Sequence, residues 1–208
     1  MRRYNSKRKL FFSVLVLSFV CLSLGYAALT NKLSVGDRVT YGSMKWDVKF
    51  ASVVDVKEQY SLYAKSKLNE DIYVVDSNPS LVSGGEDIAV SFDFGNSTNE
   101  KYSVVKATIT NNGSFDVVYN DLSLLFKSND EREFFMPYIK ETNVYWFSSF
   151  EEPLVGLKKG DVLKVGETKE LLFVGTLAEL TEDLLPENGF SVKLNYHVEW
   201  VESSSVTN

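Results

Sequence analysis

The stretch Phe190-Ser-Val-Lys-Leu-Asn-Tyr-His-Val-Glu-Trp-Val201 decides the fold class. Phe190, Val192, Leu194, Tyr196, Val198 and Trp200 share one parity, while Ser191, Lys193, Asn195, His197 and Glu199 share the other. Successive side chains of a strand point to opposite faces, so this alternation predicts a long strand with one buried and one wet face. Tyr196 and Trp200 are expected in the core, and His197 is expected to be exposed.

The same period recurs along the chain. Ile88, Val90, Phe92 and Phe94 alternate with Ala89, Ser91 and Asp93. Val105, Ala107 and Ile109 alternate with polar residues, as do Trp46, Val48 and Phe50. Leu122, Leu124 and Phe126 extend a further strand from about Phe115, and Thr168–Val174 and Asp71–Val75 read as shorter ones. Ser83-Gly84-Gly85, Asn111-Asn112-Gly113, Lys159-Gly160-Asp161 and Val165-Gly166-Glu167 supply turn chemistry between them. The Asn-Gly turn is expected to close a tight hairpin. Helical pattern is sparse, with Thr176–Leu185 offering Leu177, Leu180 and Leu184 before Pro186. Many strands and little helix predict an all-β, antiparallel two-sheet sandwich, immunoglobulin-like or jelly-roll-like. Residues 28–208 read as a single domain with a loop-rich, aromatic insertion around 127–157.

Composition excludes several chemistries. The chain has 208 residues with one histidine and one cysteine, so no Cys/His zinc cluster and no intramolecular disulfide can form. Residues 1–27 carry five basic residues and no acid, which leaves 17 basic against 28 acidic residues in the remainder, about −11. So acidic a surface is a poor match for phosphate backbones, and no nucleic-acid partner is expected. No cofactor is expected either.

The first residues read as an address. Arg2, Arg3, Lys7, Arg8 and Lys9 precede an apolar run from Leu10 to Leu24, and then come Gly25, Tyr26, Ala27 and Ala28. This is the layout of a secretory signal peptide over residues 1–27, with Gly25 and Ala27 at the −3 and −1 positions and Ala28 as the first mature residue. The apolar run, about 22 Å long as a helix, is short for a membrane span. Cleavage makes the protein secreted or surface-bound, with membrane contact only through the N-terminal segment before processing. The alternative is an uncleaved helix that anchors the chain. Cys21 lacks a lipobox, because Ser18-Phe19-Val20 precedes it.

Gly25-Tyr-Ala-Ala-Leu-Thr30 with Trp46-Asp-Val-Lys-Phe50 resembles the TasA/camelysin-like exported proteins of Gram-positive bacteria. Val105-Lys-Ala-Thr-Ile-Thr-Asn-Asn-Gly113 and Leu163-Lys-Val-Gly-Glu-Thr-Lys-Glu-Leu-Leu172 are similar to that family's strand edges. Tyr26 departs from the family, where Thr or Ser is common. The resemblance implies a SipW-type signal peptidase as processing partner and a biofilm-matrix or cell-surface role. It also implies self-assembly or contact with other matrix proteins.

The residues themselves suggest no catalytic or metal site. His197 is flanked by Asn195 and Glu199 without a nucleophile motif, and Asp93-Phe94-Gly95 stands alone. The acidic pairs Glu86-Asp87 and Glu151-Glu152 lack calcium-loop spacing. The chain is therefore read as a non-enzymatic structural protein. Its segment after the cut, with Leu29, Leu33 and Val35 before Gly36-Asp37, is a candidate donor strand for a neighbour's open sheet edge. The alternative is an adhesin or carbohydrate-binding module that uses Phe134, Phe135, Tyr138, Tyr145 and Trp146. In a purely structural role these aromatics form a hydrophobic layer under a long loop.

Overall fold

Eleven strands in the computed structural model, which describes residues 44–93, 101–178 and 191–203, divide between two sheets. The first sheet has the order β1 (Val48–Asp55), β5 (Lys101–Asn111), β10 (Thr168–Leu177), β7 (Ile139–Phe147) and β8 (Val155–Gly156). The two-residue β2 (Tyr73–Val74) adds to β5 in parallel, and every other pairing is antiparallel. The second sheet has the order β3 (Ser77–Val82), β4 (Asp87–Asp93), β11 (Ser191–Glu202), β6 (Val117–Leu125) and β9 (Val162–Leu163). The protein is thus an all-β, two-sheet antiparallel sandwich, as the alternation of apolar residues requires.

The inner faces meet along the predicted parities. Val105, Ala107 and Ile109 of β5 pack against Val192, Leu194, Tyr196, Val198 and Trp200 of β11 in one core cluster. Ile88, Val90 and Phe92 of β4 join them. The outer face of the first sheet is also covered. Helix α1 (Lys57–Tyr63) lays Tyr60 and Tyr63, with Val56 just before it, over Val104, Leu172 and Val174. The positions 56, 60 and 63 fall on one helical face, which is why this short segment coils rather than extends. β10 is therefore buried on both sides, and its sequence Leu171-Leu-Phe-Val174 reads as a continuous apolar run.

Asp55 joins these layers. Its carboxylate accepts from the Lys57 amide at 2.6 Å and from the Ser77 amide at 2.5 Å, tying the start of α1 to the start of β3. Asp55→Ala is expected to lower the unfolding free energy by about 1–2 kcal/mol, the scale of a lost helix cap. A urea titration that shows no shift of midpoint would refute that role.

Three expectations need correction. The stretch 127–157 is not loop-rich: it holds α2 (Asn129–Phe135) and the nine-residue β7. β7 escapes an alternation test because Val144 and Trp146 face the inter-sheet core while Tyr145 and Phe147 pack under α1. Asn111-Asn112-Gly113 closes no hairpin, because β5 and β6 lie in different sheets. Gly113 is needed there for close approach, since a Cβ would sit 2.8 Å from the Lys45 carbonyl oxygen. Thr176 and Leu177 end β10 rather than opening a helix. The leader, its cleavage residues Gly25, Ala27 and Ala28, and the candidate donor residues Leu29, Leu33 and Val35 lie outside the described residues. Among the described residues, no helix is long and apolar enough to cross a membrane.

Candidate strand-acceptor groove

β4 and β11 part company halfway along β11. Their register runs from Ser191 opposite Asp93 to His197 opposite Asp87, where β4 begins. The turn before it, Ser83–Glu86, is drawn across to the other sheet: the Phe50 amide donates to the Gly85 carbonyl at 2.6 Å. Gly85 has φ +94, and a Cβ there would lie 2.7 Å from the Phe50 carbonyl oxygen, so only glycine allows this approach. On its other flank β11 stays paired with β6 out to Glu202. Val198–Val201 therefore has no strand on its β4 flank among the described residues.

Beside that stretch lies a cavity of about 180 Å³ lined by Trp46, Val48, Phe50, Ile109, Val198 and Trp200, with Lys49, Glu86, His197 and Glu199 at its rim. Its inner wall is formed by core residues of both sheets, Val48, Phe50, Ile109, Val198 and Trp200, all of them buried. Trp200 is 8% exposed and packs edge-on against Tyr119 with centroids 6.0 Å apart. Its indole N–H is buried and finds no acceptor among the described residues. Trp46 is 49% exposed and leans on Phe115, so the chain enters the sandwich at the cavity's mouth. Lys45 and Ser114 exchange hydrogen bonds that hold this entry strip against the β5–β6 connection.

The rim is charged. Lys45 hydrogen-bonds Asp47 and, with Lys49, holds its carboxyl below the usual carboxylate range. His197 Nδ1 lies 2.6 Å from Asp87 Oδ1, on the last paired row of β4 and β11. Here the sequence reading was incomplete: His197 is half-exposed and paired across strands rather than free in solvent. The pairing is invisible to parity, because it depends on which residue of β4 meets β11. Among the described residues, no group of three or more His, Cys, Asp or Glu side chains converges as a metal site.

The five candidate binding aromatics do not form one surface. Tyr145 and Trp146 lie on opposite faces of β7, Tyr145 beneath α1 and Trp146 in the core. Burial raises the Tyr145 hydroxyl pKa, and Trp146 donates its indole N–H to Asp161 at 2.9 Å. Phe135 and Tyr138 pack on the main core, and Phe134, 53% exposed, stacks against both. A broader cleft of about 750 Å³ runs along Ser123–Asn129 with Arg132 and Met136, but its walls are as polar as they are apolar and its aromatic content is Phe126 alone.

No protein-family model, curated protein or solved structure matches this chain. What the chain does must therefore be argued from its own geometry. The groove was missed in the sequence because both its walls are ordinary core residues. Only the register gap beyond His197 distinguishes Val198 and Trp200 from Val192 and Leu194.

Proposed function

We propose that this chain is an exported structural protein of the cell surface or extracellular matrix, whose subunits join when the N-terminal segment of one chain completes the sheet of the next. The observation that supports this reading is the stretch Val198–Val201, which has no strand on its β4 flank among the described residues and borders a cavity lined by core and charged side chains. A strand laid there satisfies main-chain groups and extends the sheet. Leu29, Leu33 and Val35 share one parity and supply the apolar face such a strand needs. The leader features support export with cleavage after Ala27, and the resemblance to TasA/camelysin-like proteins points the same way. Head-to-tail donation is heterologous and does not close, so it yields filaments rather than dimers.

Sedimentation velocity on chains beginning at Ala28 and at Gly36 tests the assembly. The longer chain is expected to form larger species as concentration rises, and the shorter one to remain monomeric with an unchanged thermal unfolding curve. Equal assembly by both would end the strand-donation reading. Retention of a strictly monomeric protein on a glycan array would favour a binding module instead.

A further inference from the structure

We propose that the cleft between β6 and α2 binds an extended acidic peptide, which adds to the open flank of β6 and sets its carboxylates on Lys127 and Arg132.

The two flanks of β6 are covered unequally. β11 pairs with it along Val117–Leu125, whereas β9 meets it only at Val117 and Val118. The next residue, Tyr119, donates its amide to the Asp161 carbonyl at 2.8 Å. Beyond it no strand and no backbone hydrogen bond occupies the β9 flank among the described residues. The cleft lies on this flank. Ser123, Leu124, Leu125 and Phe126 all line it, and no residue of β11 does. Successive side chains of a strand point to opposite faces, so a cleft that touches all four runs along the strand's edge. The receptive stretch is bounded at both ends. The Leu122 amide donates to the Asp121 carboxylate at 2.9 Å, and the Lys127 amide donates to the Glu131 carboxylate.

The opposite wall is α2. Ser128 caps it by accepting from the Glu131 amide at 3.1 Å, while the Glu131 carboxylate reaches back before the cap. This capping box fixes the start of the helix. α2 and the turn after it bring Asn129, Arg132 and Met136 to the cleft, three positions of one helical face. Asp130, Glu131 and Glu133 do not line it. In a chain of net charge −6, the cleft is thus lined by two cations and no carboxylate. Neither the Lys127 nor the Arg132 side chain makes an ion pair or hydrogen bond among the described residues. Leu125 and Met136, each 41% exposed, line the same cleft and offer apolar contact.

These features select one occupant. A strand edge presents main-chain donors and acceptors at the spacing of another peptide strand, which a lipid or a sugar does not match. The two unpaired cations favour acidic side chains over basic ones.

Selection of a phage-displayed random heptapeptide library on the chain beginning at Ala28 is the test. It is expected to enrich sequences that carry Asp or Glu among apolar residues. A synthetic peptide of the most enriched sequence, followed by fluorescence anisotropy, is expected to bind about tenfold more weakly to the variant Lys127→Glu with Arg132→Glu, the scale of two exposed charge pairs made repulsive. The urea unfolding curve of that variant is expected to stay in place. Strand addition uses the amides of every second residue, so N-methylating one alternate set should cost about tenfold or more and the other set little. Enrichment of no acidic sequence, equal affinity for the charge-reversed variant, or full binding by both N-methylated peptides would each overturn the proposal. Loss of self-assembly in the charge-reversed variant, with no peptide selected, would assign this edge to a second copy of the chain and overturn the acidic-peptide partner.

Discussion

Truncating Trp200 to alanine is expected to cost about 3–5 kcal/mol of folding stability, the range for a large aromatic removed from a core. His197→Ala, three residues away on the same strand, is expected to cost at most about 1 kcal/mol. The contrast follows from which face each residue occupies. Trp200 stacks on Tyr119 and Trp146 between the sheets, and Val198 beside it belongs to the same core cluster. Losing the indole leaves a void beside the cavity that Trp200 lines. His197 contributes one cross-strand pair with Asp87 on the outer face, where water screens much of its strength. Trp200→Phe keeps most of the buried ring and discards the unpartnered N–H, so its loss should be well below that of alanine. Urea unfolding of the three variants decides the matter. Comparable losses for Trp200→Ala and His197→Ala would mean that the outer face carries the stability and that the inner packing is loose.

The parity that separates these two residues was legible in the sequence; the pairing partners were not. β4, β5 and β11 each announce themselves because one inner face meets the core in alternation, whereas β10, buried on both sides, shows as a short apolar run after the Val165-Gly166-Glu167 turn. β7 did not, since α1 and the residues around Phe150 cover its outer face and remove the polar half of the pattern. α1 itself was overlooked although Val56, Tyr60 and Tyr63 stand at helical spacing. Seven residues between two strands give too short a window for that period to stand out. β3 carries Pro79 and mixed burial, as befits an edge strand, and gives little alternation to read. The groove was harder still. It exists because the Ser83–Glu86 turn binds Phe50 of the opposite sheet instead of running on beside β11, and that choice is made by tertiary contact. Sequence supplied the shared parity of Leu29, Leu33 and Val35; only the register of β4 on β11 shows where β11 runs on without a neighbour among the described residues.

Gly175→Ala is expected to destabilise the protein by about 1–3 kcal/mol, and Tyr196→Phe to abolish that penalty. Gly175 lies in β10, directly across the core from Tyr196 of β11. A Cβ at 175 would sit 2.6 Å from the Tyr196 hydroxyl oxygen, while the next nearest atoms are 3.8 and 3.9 Å away. One atom therefore accounts for the exclusion of alanine from a strand position where glycine is otherwise unfavourable. That atom also makes no hydrogen bond among the described residues, and burial pushes the hydroxyl's pKa up from its ordinary value. Tyr196 is fully buried, with its ring 5.4 Å from Phe173, so the side chain has little room to retreat. Tyr196→Phe alone is expected to be near neutral or mildly stabilising, because the hydroxyl it removes has no partner to orphan. In the phenylalanine background Gly175→Ala meets only ordinary van der Waals contacts and gains from the stiffer backbone of alanine. Thermal and urea unfolding of the two single variants and the double variant give the coupling directly. If Gly175→Ala costs as much with phenylalanine at 196 as with tyrosine, the hydroxyl is not what glycine accommodates, and the close approach of β10 to β11 must have another cause.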